Sequence, residues 1–135
     1  MRLRIVSSVA LVLFIGCNSK SPTRVVNSFL QYEYDNNVDE AIKFFSSQFS
    51  KSGGIQGMRE AAKLYRLGLE DDLRHCNRGD AGKYQAMKET TVGEACEVAI
   101  AQSSPCIQTW RIDLIRENGE WRISNLHSMA QPSSR

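Results

Sequence analysis

The stretch Arg116-Glu117-Asn118-Gly119-Glu120-Trp121 constrains the fold more than any other. Asn-Gly between two alternating apolar runs is the strongest short-range hairpin signal, because a type I′ turn needs positive φ at both central positions. The turn predicts a register in which Trp121 faces Arg116, Ile123 faces Leu114, Asn125 faces Ile112 and His127 faces Trp110 on one side of the sheet. Reading Ser103-Ser104-Pro105 as a three-residue turn sets Gln102 opposite Cys106, Val98 opposite Trp110 and Cys96 opposite Ile112. The expected inner face is therefore Cys96, Val98, Ile100, Trp110, Ile112, Leu114 and Ile123. Four antiparallel strands are predicted, at about Tyr84–Thr91, Glu94–Gln102, Cys106–Arg116 and Glu120–His127.

Upstream the apolar period is helical. Ser21 followed by Pro22 is a favoured helix start, and Val25, Val26, Phe29 and Leu30, then Tyr32 or Glu33, form one buried stripe until Asp35-Asn36-Asn37 ends it. A second helix is predicted over about Val38–Ser46, with Ala41, Ile42, Phe44 and Phe45 as its apolar face. After a loop, a third runs from about Ile55 to His75, carried by Met58, Ala62, Tyr65, Leu69 and Leu73 and weakened by Gly57 and Gly68. Three N-terminal helices packed on a curved four-stranded antiparallel sheet make an α+β domain over residues 21–127, and residues 128–135 read as a tail.

Two resemblances extend this reading. The segments SPTRVVNSFLQYEYDNNVDEAIKFFSSQF and RIDLIRENGEWRISNL resemble small lipoproteins of unknown function with a cone-shaped, nuclear transport factor two-like (cystatin-like) fold. That family has no established active-site motif, so no catalytic residue is transferred. In such a fold the sheet and the long helices enclose a cone, and Tyr32, Tyr65, Trp110, Asn125 and His127 become its candidate cavity residues.

The second resemblance lies at the N-terminus. Arg2 and Arg4 precede an apolar run, Ile5 to Ile15, about half the length of a membrane span. A basic start, a short apolar middle and small Gly16 make a secretory signal over residues 1–16. Leu13-Phe14-Ile15-Gly16-Cys17 resembles the lipobox of bacterial lipoproteins, with Phe14 where leucine is usual. The resemblance implies cleavage between Gly16 and Cys17, acyl chains on Cys17 as the membrane anchor, and residues 17–20 as a short linker. Asn18 is not the aspartate that commonly retains such proteins inside. The implied address is thus the outer membrane, facing the periplasm, where the source has two membranes.

Cleavage would remove Arg2 and Arg4 from the 17 basic residues and leave them level with the 15 acidic ones. No basic stripe remains to neutralise phosphates, which argues against a nucleic-acid partner. With Cys17 assigned to lipid, Cys76, Cys96 and Cys106 remain. An oxidising compartment favours one bridge among them, and the predicted register favours Cys76–Cys106 over Cys76–Cys96 and Cys96–Cys106. These spacings contain no C-x₂-C knuckle, and His75 and His127 are scattered, so neither metal nor cofactor is expected.

Glu70, Asp71 and Asp72 are consecutive on a helix, point about 100° apart and cannot converge on one ion. The functional expectation is a membrane-anchored envelope protein whose domain binds a ligand or protein without chemistry. One alternative is an isomerase or hydratase using His127 with a tyrosine or Asp35, and another is a structural or assembly role.

Overall fold

The computed structural model describes residues 20–51, 53–75, 83–101 and 109–127. Four α-helices precede a four-stranded antiparallel sheet of order β1-β2-β3-β4. They are α1 (Pro22–Tyr34), α2 (Val38–Ala41), α3 (Ser47–Lys51) and α4 (Gly54–His75), with a 3-10 turn, Ile42–Phe44, after α2. The strands are β1 (Gln85–Val92), β2 (Ala95–Ala101), β3 (Thr109–Glu117) and β4 (Glu120–His127).

The start of α1 is as expected: Ser21 accepts from Arg24 N–H through its side chain and Pro22 opens the helix. The expected second helix is interrupted and a short further one follows it, so the described residues hold four α-helices rather than the three expected. At Phe45 the backbone turns extended, with φ −76° and ψ 145°, and bridges in parallel to Ile123 of β4. Ser46 N–H donates to Ile123 carbonyl at 2.8 Å. Tertiary demand overrides local periodicity here: an extended Phe45 covers the β4 edge and stacks its ring 4.2 Å from Phe49 and 5.6 Å from Phe29. The opposite edge is tied to α1, where Asn27 accepts from Ala86 N–H and Glu89 accepts from Thr23.

The Asn118-Gly119 turn has the positive φ values its sequence requires, 51° and 79°. β3 and β4 pair as predicted from Glu117↔Glu120 through Leu114↔Ile123, and then slip at a bulge between Asp113 and Leu114. Beyond it Asp113 pairs Asn125, Ile112 pairs Leu126 and Arg111 pairs His127. Between β2 and β3 the pairs are Cys96↔Leu114, Val98↔Ile112 and Ile100↔Trp110, two residues away from the predicted set. A two-residue slip keeps every side chain on its face. All seven predicted inner residues are accordingly buried.

The helices cover that inner face. Val26, Phe29 and Leu30 of α1 and Ala62, Tyr65 and Leu69 of α4 meet Val98, Ile100, Ile112, Leu114 and Ile123 of the sheet in one core. An aromatic row runs through it: Tyr65 lies 5.9 Å from Phe29 and 5.1 Å, edge-on, from Trp110, and Tyr84 lies 5.7 Å beyond Trp110. Gly68 admits the indole. A Cβ there would sit 2.9 Å from the Trp110 ring, which explains a glycine in mid-helix.

Gly68→Ala should therefore lower stability although alanine is the better helix former. Its propensity gain of about 1 kcal/mol is opposed by an overpacking cost of about 1–3 kcal/mol, since Tyr65 and Tyr84 flank the indole. Urea denaturation checks this, and a stabilised variant would mean that Trp110 yields freely.

Candidate functional site: the open face of the sheet

The cavity expected from sequence does not assemble. Tyr65 and Trp110 are inside, at 6% and 3% exposure, as parts of the packed core. Tyr32 is half-buried at the margin, its ring 6.0 Å from Phe44. Asn125 and His127 stand on the opposite face, paired with Asp113 and Arg111. The bulge explains the correction, because one extra residue in β4 turns everything after it to the other side. Leu126, not His127, packs against the core. The sequence carries a signal for this: the apolar positions Trp121, Ile123 and Leu126 lengthen a spacing of two to three. Cys76 and Cys106 lie outside the described residues, as do Gly16 and Cys17; Cys96 is buried with a free thiol.

On the outer face the slip builds a row of charged groups across three strands. With a proton on Nε2, His127 donates to Asp113 Oδ2 at 2.6 Å, and the Asn125 side-chain nitrogen lies 2.9 Å from that same Nε2. In the neutral ring this tautomer keeps the lone pair on Nδ1. Arg111 Nε lies 3.2 Å from Asp113 Oδ1, an ion pair without hydrogen-bond alignment, and Arg111 Nη1 lies 3.7 Å from Glu97. The His127 and Asp113 side chains are 33% and 25% exposed, so the pair is accessible. Beside the row runs a groove of about 410 Å³ lined by Thr90, Val92, Ala95, Glu97, Ile115 and Ser124, among others. Val92 at 76% exposure and Met87 at 65% leave apolar surface near its β1 side. Among the described residues no element packs over this face.

Inside, the structure decides between Tyr32 and Glu33 as the residue that continues the buried stripe of α1, and it is the charged one that is buried. Glu33 of α1 is 1% exposed, and neither carboxyl oxygen has a hydrogen-bond partner among the described residues. Burial pushes its pKa up to about 8, with the Arg66 cation opposing the rise. Tyr34 is pushed up to about 12 by burial while its oxygen accepts from Tyr84 N–H at 2.7 Å, and burial also raises Tyr65. Glu33 is thus a neutral acid at pH 7, which lowers the cost of burying it. Among the described residues no three His, Cys, Asp or Glu side chains gather as a metal would need.

Compared with protein-family models and with curated proteins, the chain matches none.

The Glu33 shift has a defined consequence. Its ordinary value is 4.5, so between there and about 8 the folded chain holds a proton that the unfolded chain has lost. This contribution is full below the lower value and is lost as pH rises through the upper one. The slope is at most about 1.4 kcal/mol per pH unit. Urea denaturation from pH 5 to 9 should show falling stability for the native chain and a flatter profile for Glu33→Gln. Equal slopes would contradict the assignment.

Proposed function

We propose that this chain is a lipid-anchored protein of the bacterial envelope whose open sheet face binds a protein partner without chemistry. The observation that carries the reading is the division of the domain: aromatic side chains fill the interior, while a charged row and a groove lie uncovered on the other side. A filled interior leaves little room for a small ligand, whereas alternating charges with apolar patches suit a protein surface. The partner chemistry is complementary: a carboxylate for Arg111, a cation for Glu97, and apolar side chains for the groove.

The anchor in this reading is Cys17, acylated after cleavage following Gly16. More than one acyl chain is needed for stable attachment, since one binds only marginally. Among the described residues no helix is long and apolar enough to cross a membrane. The address is the outer membrane, facing the periplasm, where there are two membranes. The fold belongs in this reading with the cone-shaped, nuclear transport factor two-like lipoproteins. A Cys76–Cys106 bridge leaves Cys96 as the buried thiol.

One observation favours a second reading. His127 hydrogen-bonds a carboxylate at 2.6 Å, the arrangement that orients a general base. In that enzyme reading His127 moves the proton and Asp113, rather than Asp35, holds the ring. An open groove sets no near-attack geometry, and the binding reading is preferred for that reason.

The test is purification from membranes after crosslinking, with intact mass and non-reducing peptide maps from the same sample. The expected mature chain begins at an acylated Cys17, carries a Cys76–Cys106 bridge, and retains a partner that Arg111→Glu loses. An unacylated mass overturns the anchor, Cys96 in a bridge overturns the pairing, and a partner retained by Arg111→Glu overturns the face.

A further inference from the structure

A separate pocket of about 240 Å³ opens at the hairpin end of the sheet. Lys20, Lys43, Phe44, Glu120, Trp121 and Arg122 line it: three cations, one carboxylate and two aromatic rings. Lys20 Nζ lies 5.6 Å from the centre of the Phe44 ring. Lys43 pairs with Glu40 and Arg122 with Glu120, each at 2.7 Å, and Arg122 also donates to the Lys43 carbonyl. These are surface ion pairs of small net worth, readily exchanged for another anion. The arginine is held in place by the backbone, while the Lys43 side chain is 67% exposed.

Chain length places this pocket relative to the proposed anchor. Lys20 is the first charged residue after Cys17, three residues along. Three residues span at most about 11 Å, comparable with the thickness of one polar headgroup layer of a bilayer. An acyl chain on Cys17 therefore holds Lys20 in that layer or directly above it, whatever path the linker takes. Cations there are attracted to anionic lipid, and an indole beside them suits the boundary between apolar and wet surroundings.

We infer that the Lys20–Lys43–Arg122 pocket binds the phosphodiester headgroup of an anionic membrane phospholipid. Lys20 and Lys43 reach the phosphate oxygens, Arg122 donates from a fixed position, and Trp121 and Phe44 wall the glycerol side. The inference rests on the anchor reading and adds orientation to it. With the pocket on the membrane, the Asn118-Gly119 turn faces the bilayer and the His127 end of β4 points away. The row at Arg111, Asp113 and His127 is then presented to a partner in the aqueous compartment.

The test uses the mature acylated chain, labelled with 5-fluorotryptophan, in nanodiscs of phosphatidylcholine and phosphatidylglycerol with a trace of nitroxide-headgroup phosphatidylglycerol. The two fluorine signals report Trp121 at the pocket and Trp110 in the core as an internal control. Strong broadening of the Trp121 signal is expected in the native chain. Each lysine removed should lower headgroup occupancy about five-fold, the effect of about 1 kcal/mol per basic group at an anionic surface. Lys20→Gln with Lys43→Gln should therefore weaken the broadening sharply, to what the anchor alone leaves, whereas Lys63→Gln, on the exposed side of α4, should leave it unchanged. Equal broadening in the double variant overturns the pocket, and loss of broadening on adding inorganic phosphate overturns the lipid as its source. Vesicle flotation reads the anchor separately: the double variant must still float, and a native chain that stays in solution contradicts the anchor itself.

Discussion

The rest of the structure depends on the seating of Trp110 between Tyr65 and Tyr84, against the bare backbone of Gly68. This contact joins the longest helix to the middle of the sheet and continues through Tyr65 to Phe29 and Phe45. Rings of this size bury about 150–250 Å² each, so a row of them fills space that smaller residues would leave as a cavity. A filled interior is also what the proposed function rests on, since it leaves recognition to surfaces.

The surfaces are set by how the sheet is finished. Phe45 and Ser46 close one edge, and Asn27 with Thr23 ties the other. Association by adding a strand is thereby discouraged, and among the described residues the outer face is the main uncovered part of the sheet. The bulge in β4 places Asn125 and His127 on that face beside Asp113 and Arg111, where straight alternation would have turned them inward. Their mutual contacts set the geometry of the row. Solvent exposure keeps its cost in stability small.

Much of the architecture was legible because local chemistry decides it. The Asn118-Gly119 turn, the Ser21 cap with Pro22, and the alternation of Val98, Ile100, Ile112 and Leu114 each lead to one answer. Two features were not legible in the sequence, and a third was legible only in part. Phe45 leaves the helix to cover an edge that exists only once the sheet has formed. The bulge at β4 hides in a single lengthened apolar spacing, and missing it reverses the facing of His127. Helical spacing leaves Tyr32 and Glu33 as alternatives for the end of the α1 stripe, and only packing decides that Glu33 is the buried one. The candidate site was thus half visible: Asn125 and His127 stand out as polar residues of the last strand, but their facing, and the partnership of Asp113 with His127, needed the register.

Under the proposed function, an anchor at Cys17, the basic pocket at the hairpin end and the charged row towards the far end of the sheet would together orient the domain by its membrane contacts and leave one face to do its work. The most direct test of that account is site-specific photocrosslinking in cells, with a photoreactive side chain placed singly at Arg111, Ile115 and Thr90 on the open face, and at Leu64 and Leu67 on the exposed side of α4. The account predicts one partner adduct from the sheet positions and none from α4. Adducts from α4 alone, with the sheet positions silent, would contradict it.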